Sequence, residues 1–188
     1  MRAGASHTLS TQHTGPTQIR RTGAADWPLM DAFHRGCAEN SLHRRWGHTQ
    51  IRQRDWERLL TLSQCWAATE AGAAIGLVSI GPVRNEPGTV DLGIQVADPH
   101  HRRGIGTRLI HTAADHARTA GARTLHAYVE RSNHPMLALL RRLGPTVERP
   151  DGAHLEVRLP LALLALPAPL QLVRQDLYAH PQGPDRDR

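Results

Sequence analysis

The chain has 188 residues, 39% of them hydrophobic, and 23 basic against 17 acidic side chains give a formal net charge of +6. That size and apolar content suit a single domain with one core, and neither a membrane-length apolar run nor a signal-peptide core is visible. Aromatic residues make up 4% and the basic ones are scattered, so no nucleic-acid reading helix or stacking surface is recognisable, and the charge reads instead as a positive field around an anionic ligand.

Residues 1–16, rich in Ser, Thr, His and Gly, are expected to be disordered. Residues 17–22 read as a first strand, 24–38 as a helix with Asp26 near its start, and 50–62 as a second helix. Two strands, 65–69 and 74–80, form a predicted hairpin about Ala71-Gly72, followed by a loop through Pro82 and Pro87. Val90, Leu92, Ile94 and Val96 then alternate with Asp91, Gly93 and Gln95, the period of a half-buried strand. Past Pro99, Leu109, Ile110, Ala113 and Ala117 fall on one helical stripe that Gly121 is placed to end. A strand over 122–130, a helix from Asn133 to Gly144 and a closing strand over 154–159 complete the domain, which is expected to span 17–160. The apolar stretch 159–172 is interrupted by Pro160, Pro167 and Pro169 and reads as a packed or partner-binding tail, 161–188. The alternation favours an α/β or α+β sandwich.

Cys37 and Cys65 are far apart without metal-type pairing, so reduced thiols in a cytoplasmic protein are the default, and no histidine pair has zinc spacing, so no metal is expected. The segment His100 to Gly106 is chemically denser. It places two arginines and two glycines between a strand and a helix. Glycines there let main-chain N–H groups approach a ligand, and the helix dipole favours negative charge, a combination suited to phosphate. The chain has no lysine, which excludes a Walker loop, and Leu109 stands where a dinucleotide fingerprint needs its third glycine.

The run His101-Arg102-Arg103-Gly104-Ile105-Gly106 resembles the pyrophosphate loop of the GNAT superfamily of acyl-CoA N-acyltransferases: Gln or Arg, two residues, Gly, one residue, Gly or Ala. His101 takes the Gln/Arg position. The stretch from Asn133 to Gly144 is similar to the second acyl-CoA motif of that family. Its Asn-x-Pro-Met start and Arg-Arg-Leu-Gly end resemble a bacterial branch that includes protein-lysine acetyltransferases, as does Ser41-Leu-His-Arg-Arg-Trp46, with Trp for Phe. The resemblance covers about residues 17–160 and implies a single domain with a mixed, mostly antiparallel, splayed sheet flanked by helices. It implies acetyl-CoA as cosubstrate, its pyrophosphate held on main-chain amides of Arg102, Arg103, Gly104, Ile105, Gly106 and Thr107 beside His101. The pantetheine would pair with the strand edge at Ile94, Gln95 and Val96, with Asn133 alongside, capping its helix.

A lysine-like amine is mostly protonated at neutral pH, so acyl transfer needs a proton acceptor. Asp91, ten residues before His101, stands where the resembling branch carries a glutamate used as general base. His100, His101 and His126 are alternative bases. The tyrosine that many family members use as acid is replaced by Leu140, while Tyr128 on the neighbouring strand reads as packing, as do Trp46 and Trp56. The reading is an N-acetyltransferase acting on a primary amine of a small molecule or a protein lysine, as a monomer or homodimer. The competing classes are a non-catalytic acyl-CoA-binding regulatory module and a basic nucleic-acid binder. Acceptor choice is expected to reside in residues 36–64 and 144–155.

Overall fold

The computed structural model describes residues 16–165. The chain enters through β1 (Gln18–Thr22) and a 3-10 turn, then builds α1 (Trp27–Arg35), α2 (Glu39–Trp46) and α3 (Gln53–Leu62) before the hairpin β2 (Gln64–Glu70) and β3 (Ala73–Pro82). There follow β4 (Thr89–Val96), α4 (Ile105–Thr119), β5 (Thr124–Glu130), α5 (His134–Leu143), β6 (Val147–Asp151) and β7 (His154–Pro160). The seven strands form one sheet in the order β1-β2-β3-β4-β5-β7-β6. Every neighbouring pair is antiparallel except β4 and β5, which are joined through α4 as a parallel pair requires.

Local chemistry accounts for the hairpin and the central helix. Ala71 and Gly72 both take positive φ, 48° and 80°, the twist that a two-residue connection between antiparallel strands demands. The apolar stripe of α4 (Leu109, Ile110, Ala113 and Ala117) is buried with Val78, Ile80, Leu92 and Leu125 in one core cluster. A side chain at Gly76 on β3 would put its Cβ 2.9 Å from Leu109 Cδ1, so glycine sets how closely helix and sheet approach. On the other sheet face Met30, Phe33, Leu42 and Trp56 of the first three helices cover Cys65, Ala67 and Leu77. Trp56 is fully buried and donates its Nε1–H to Gly23 O at 3.2 Å.

Several expectations shift. The helix expected over 24–38 divides into the 3-10 turn and α1 and stops at Arg35 before Gly36. α2 was not anticipated, because ENSLHRRW has one buried residue, Leu42, and offers no apolar stripe. β6 was not anticipated either: Val147–Asp151 contains Pro150, lies mostly exposed and forms the sheet edge, where a residue lacking an N–H is tolerated. Tyr128, expected as packing, is 52% exposed. Leu161 and Leu164, which the sequence places in the tail, are 1% and 6% exposed and extend the core beyond residue 160. The expected disordered segment 1–16 and the tail beyond 165 fall, but for residue 16, outside the described residues.

Candidate active site

The parallel pairing of β4 with β5 is short. It joins Thr89, Val90 and Asp91 to Thr124, Leu125 and His126, and then stops. β4 nevertheless continues along β3 to Val96, and β5 along β7 to Glu130. The sheet therefore opens into a wedge between residues 92–96 and 127–130, with Asp91 and His126 at its apex. A strand edge left unpaired in this way offers main-chain groups to an extended ligand.

At the wide end of the wedge the chain turns through 97–104 into α4. Gly104 caps that helix with φ +75° and ψ 1°, a conformation that favours glycine. Arg108 N–H donates to Gly104 O at 3.1 Å, but no main-chain N–H from Arg102 to Thr107 has a protein partner among the described residues. Six successive free donors at a helix start are an arrangement with the chemistry to receive an anion. Ile105 contributes only its amide, since its side chain is 2% exposed in the core. Gly106 faces the wedge wall: a Cβ there would lie 3.1 Å from Leu139 Cδ2 and 3.7 Å from Ile94 Cδ1.

The basic side chains of the loop are less free than the sequence suggested. Arg103 donates to Glu70 Oε1 at 2.7 Å, and Glu70 also accepts from Thr17; these contacts hold its carboxyl below the usual range. His101 Nε2 lies 2.8 Å from Val96 O, so its ring turns back onto the strand end. Arg102, at φ +59°, makes no ion pair among the described residues. Across the wedge, Asn133 Oδ1 accepts from Met136 N–H at 3.3 Å and caps α5. Leu140, at the position of the missing tyrosine, is 1% exposed within the core and offers no acid.

Asp91 is more than half exposed, and its Oδ1 lies 2.8 Å from His126 Nδ1; the other ring nitrogen of His126 stands 3.6 Å from Glu156 Oε1. The alternation of β4 places Asp91, Gly93 and Gln95 on one face, but this polar face is not simply solvated. Gln95 is 5% exposed and accepts from Trp46 Nε1–H at 3.1 Å. α2 covers that face. Its start is fixed to the end of β4 by Asp98, whose carboxylate accepts from Ala38 N–H at 2.9 Å and Ser41 Oγ at 3.1 Å. One turn on, Arg45 donates to Ser79 Oγ at 2.7 Å, and Arg44 reaches over the wedge to Glu130 Oε2 at 3.3 Å. Arg45 and Glu70 were not singled out by sequence as site residues, and the pairing of His126 with Asp91 was not foreseen.

A cavity of about 650 Å³ opens at the other end of β4, between Leu60–Gln64, Pro82–Val90 and the C-terminal end of α4. It includes neither the loop glycines nor Asn133.

A family model for the acetyltransferase (GNAT) family matches residues 27–144. The chain belongs to the GNAT acetyltransferase family. Its activity is accordingly that of an N-acetyltransferase with acetyl-CoA as donor. Solved structures share the fold. The GNAT domain of S. lividans PAT superposes with a TM-score of 0.71 at 19% identity, covering 78% of this chain and 91% of that one. yncA from Salmonella typhimurium, solved with its cofactor acetyl-CoA, gives 0.63 at 21% identity, covering 81% and 98%. The paia N-acetyltransferase from Thermoplasma acidophilum, in complex with coenzyme A, gives 0.64 at 13% identity, covering 78% and 99%. No curated protein sequence matches. At these identities the likeness extends to the fold, and the GNAT branch is not fixed by it.

Proposed function

We propose that the wedge is the site of acetyl transfer, with Asp91 as the proton acceptor for a primary amine of a small molecule or a protein lysine. The observation that carries this reading is the apex itself: an exposed carboxylate where β4 and β5 part, on the sheet face that α2 covers only in part. The loop from Arg102 to Thr107 suits the pyrophosphate of acetyl-CoA, because its unpaired amides and the α4 dipole both favour negative charge. The freed edge of β4 at Ile94, Gln95 and Val96 suits the amide-bearing pantetheine arm, with Asn133 on the opposite wall.

The amine approaches as an ammonium and must lose two protons. One passes to Asp91, directly or through water, which exposes the nitrogen lone pair. The new C–N bond forms as the C–S bond breaks, and the second proton ends on the sulfur of coenzyme A. A thiol with a reference pKa near ~8.5 leaves tolerably as thiolate, so Leu140 in place of an acid does not prevent the step. His126 holds Oδ1 of Asp91 and leaves Oδ2 to face the amine, which makes it a positioning residue.

The test is thiol release from acetyl-CoA in the presence of a broad amine panel. The protein is expected to turn over at least one amine, and Asp91→Asn to slow it by roughly 10²–10⁴-fold near neutral pH, with partial recovery at high pH. Asp91→Glu is expected to keep appreciable activity. Tight acetyl-CoA binding without acetylation of any amine would establish the non-catalytic binding module instead. A pH–rate profile of Asp91→Asn that overlays the parent would return Asp91 to a solvated strand charge.

A further inference from the structure

The guanidinium of Arg45 is an unusual charge to find under a helix. Its side chain is partly buried between α2 and the sheet, and its Nε is fully buried without a hydrogen-bond partner. Its Nη2 donates to the neutral Ser79 hydroxyl, and it lies 5.1 Å from the ring centre of Trp46. Among the described residues no carboxylate comes within 4.0 Å of it. Cys65, which also faces it, supplies no counter-charge at neutral pH, because burial pushes that thiol up to about 12. Burial lowers the pKa of Arg45, and the Asp91 carboxylate, which opposes this, stands beyond ion-pair distance, so a closer carboxylate supplied by a ligand would stabilise the charge further.

The backbone keeps this cation in place. Gly93 is the residue against which the guanidinium rests: a Cβ there would lie 2.4 Å from Arg45 Cζ. Ser41, one turn earlier on α2, is tied to Asp98 and fixes the helix rotation that points Arg45 inward. Gly93 and Asp91 are alternate residues of one strand and share a face, so the strand position beneath the guanidinium and that of the proposed base are about 7 Å apart along β4. An α-amino acid has its ammonium and carboxylate on the same carbon. With a hydrogen bond of about 2.8 Å at each end, it spans that gap.

We infer that Arg45 selects the acceptor by binding a carboxylate adjacent to the reacting amine, so that the substrate class is a free α-amino acid rather than a protein lysine. The inference rests on the reading of Asp91 as the site of deprotonation. Arg45 then orients the substrate while Asp91 takes the proton, and a charge-assisted hydrogen bond from Nη1, the guanidinium nitrogen that is neither fully buried nor given to Ser79, favours a carboxylate over a neutral carbonyl.

The experiment is a panel of L-α-amino acids, each beside its carboxamide and its decarboxylated amine, with a terminally blocked lysine peptide, assayed by thiol release from acetyl-CoA. The free amino acid is expected to exceed its carboxamide in kcat/KM by about 10–100-fold. Arg45→Gln should lower kcat/KM for the free amino acid by a similar factor and bring the two substrates within about threefold of each other. Gly93→Ala serves as a second variant: it keeps the charge but forces the guanidinium aside, and should lower the same preference. Equal rates for acid and carboxamide, or acetylation of the blocked peptide alone, would overturn the inference while leaving acetyl transfer intact. If nothing in the panel is acetylated, the proposed reaction itself is in question, and calorimetric titration of the amino acids into the protein saturated with coenzyme A decides the binding role. Heat that appears in the parent and is lost in Arg45→Gln supports the carboxylate site; its absence from the parent overturns it.

Discussion

Substituting Gly104 by valine separates two consequences of one residue. Gly104 holds φ +75° at the start of α4, and a Cβ there would meet no atom within 4 Å. The side chain therefore strains the backbone without striking the fold. A left-handed conformation costs a non-glycine residue about 1–2 kcal/mol, with a β-branched residue at the upper end. For a chain of this size that lowers the unfolding midpoint by roughly 4–8 °C. Ligand binding should suffer more. The added methyls stand among the amides that would receive the pyrophosphate, and losing one charge-assisted hydrogen bond of about 1.5–3 kcal/mol weakens affinity by about 10–150-fold. Calorimetric titration with acetyl-CoA, beside thermal unfolding without ligand, reads the two effects independently. Gly104→Ala should show most of the strain and a smaller loss of affinity. If Gly104→Val binds acetyl-CoA within about threefold of the parent, the cradle is not at this loop. If it fails to fold at all, the open space around Gly104 does not describe the protein.

Asn133→Ala removes the acceptor that Met136 N–H uses, so stability should drop by about 1 kcal/mol in denaturant titration. A simultaneous rise in KM for acetyl-CoA would place Asn133 beside the pantetheine, whereas unchanged KM would leave it a helix cap alone. His126→Phe removes the hydrogen bond to Asp91 and should lower kcat/KM by about tenfold while leaving acetyl-CoA affinity in place. Because it acts through Asp91, the loss should vanish in an Asp91→Asn background, and an equal loss there would make His126 merely structural. His34 is buried on α1, and burial, aided by the charge of Arg45, lowers its pKa to about 4. In the unfolded chain it takes up a proton near pH ~6.5, so the unfolded state binds more protons between about 6.5 and 4. Stability should therefore fall as the pH drops through that window, by about 2 kcal/mol between pH 7 and pH 5. Urea titrations at the two pH values test this, and His34→Phe should abolish that share of the slope.

Much of the scaffold was legible because its signals are local. The alternation from Val90 to Val96, the stripe of α4 and the Ala71-Gly72 turn each depend on residues a few positions apart, and all form where the periodicity places them. The loop glycines and Asn133 were visible for the same reason, since caps and anion cradles are built from consecutive backbone groups. α2 and β6 were not, because ENSLHRRW and VERPD have no amphipathic period of their own and are held by what they pack against. The partners of the site side chains were equally hidden. Asp91 meets His126 through a parallel strand pair 35 residues apart, and Arg103 meets Glu70 across 33. Arg45 lies in a stretch already noted for its resemblance, yet whether its charge would be solvated or confined depended on α2 lying over Gly93. The sequence by itself determined most of the elements, the glycine-bearing turn into α4 and the family, since these follow from short-range pattern. Only the tertiary structure decided where the sheet parts, which carboxylate stands at the apex and which cation lies near it with no ion pair among the described residues, because those depend on strand pairing and helix placement between distant segments.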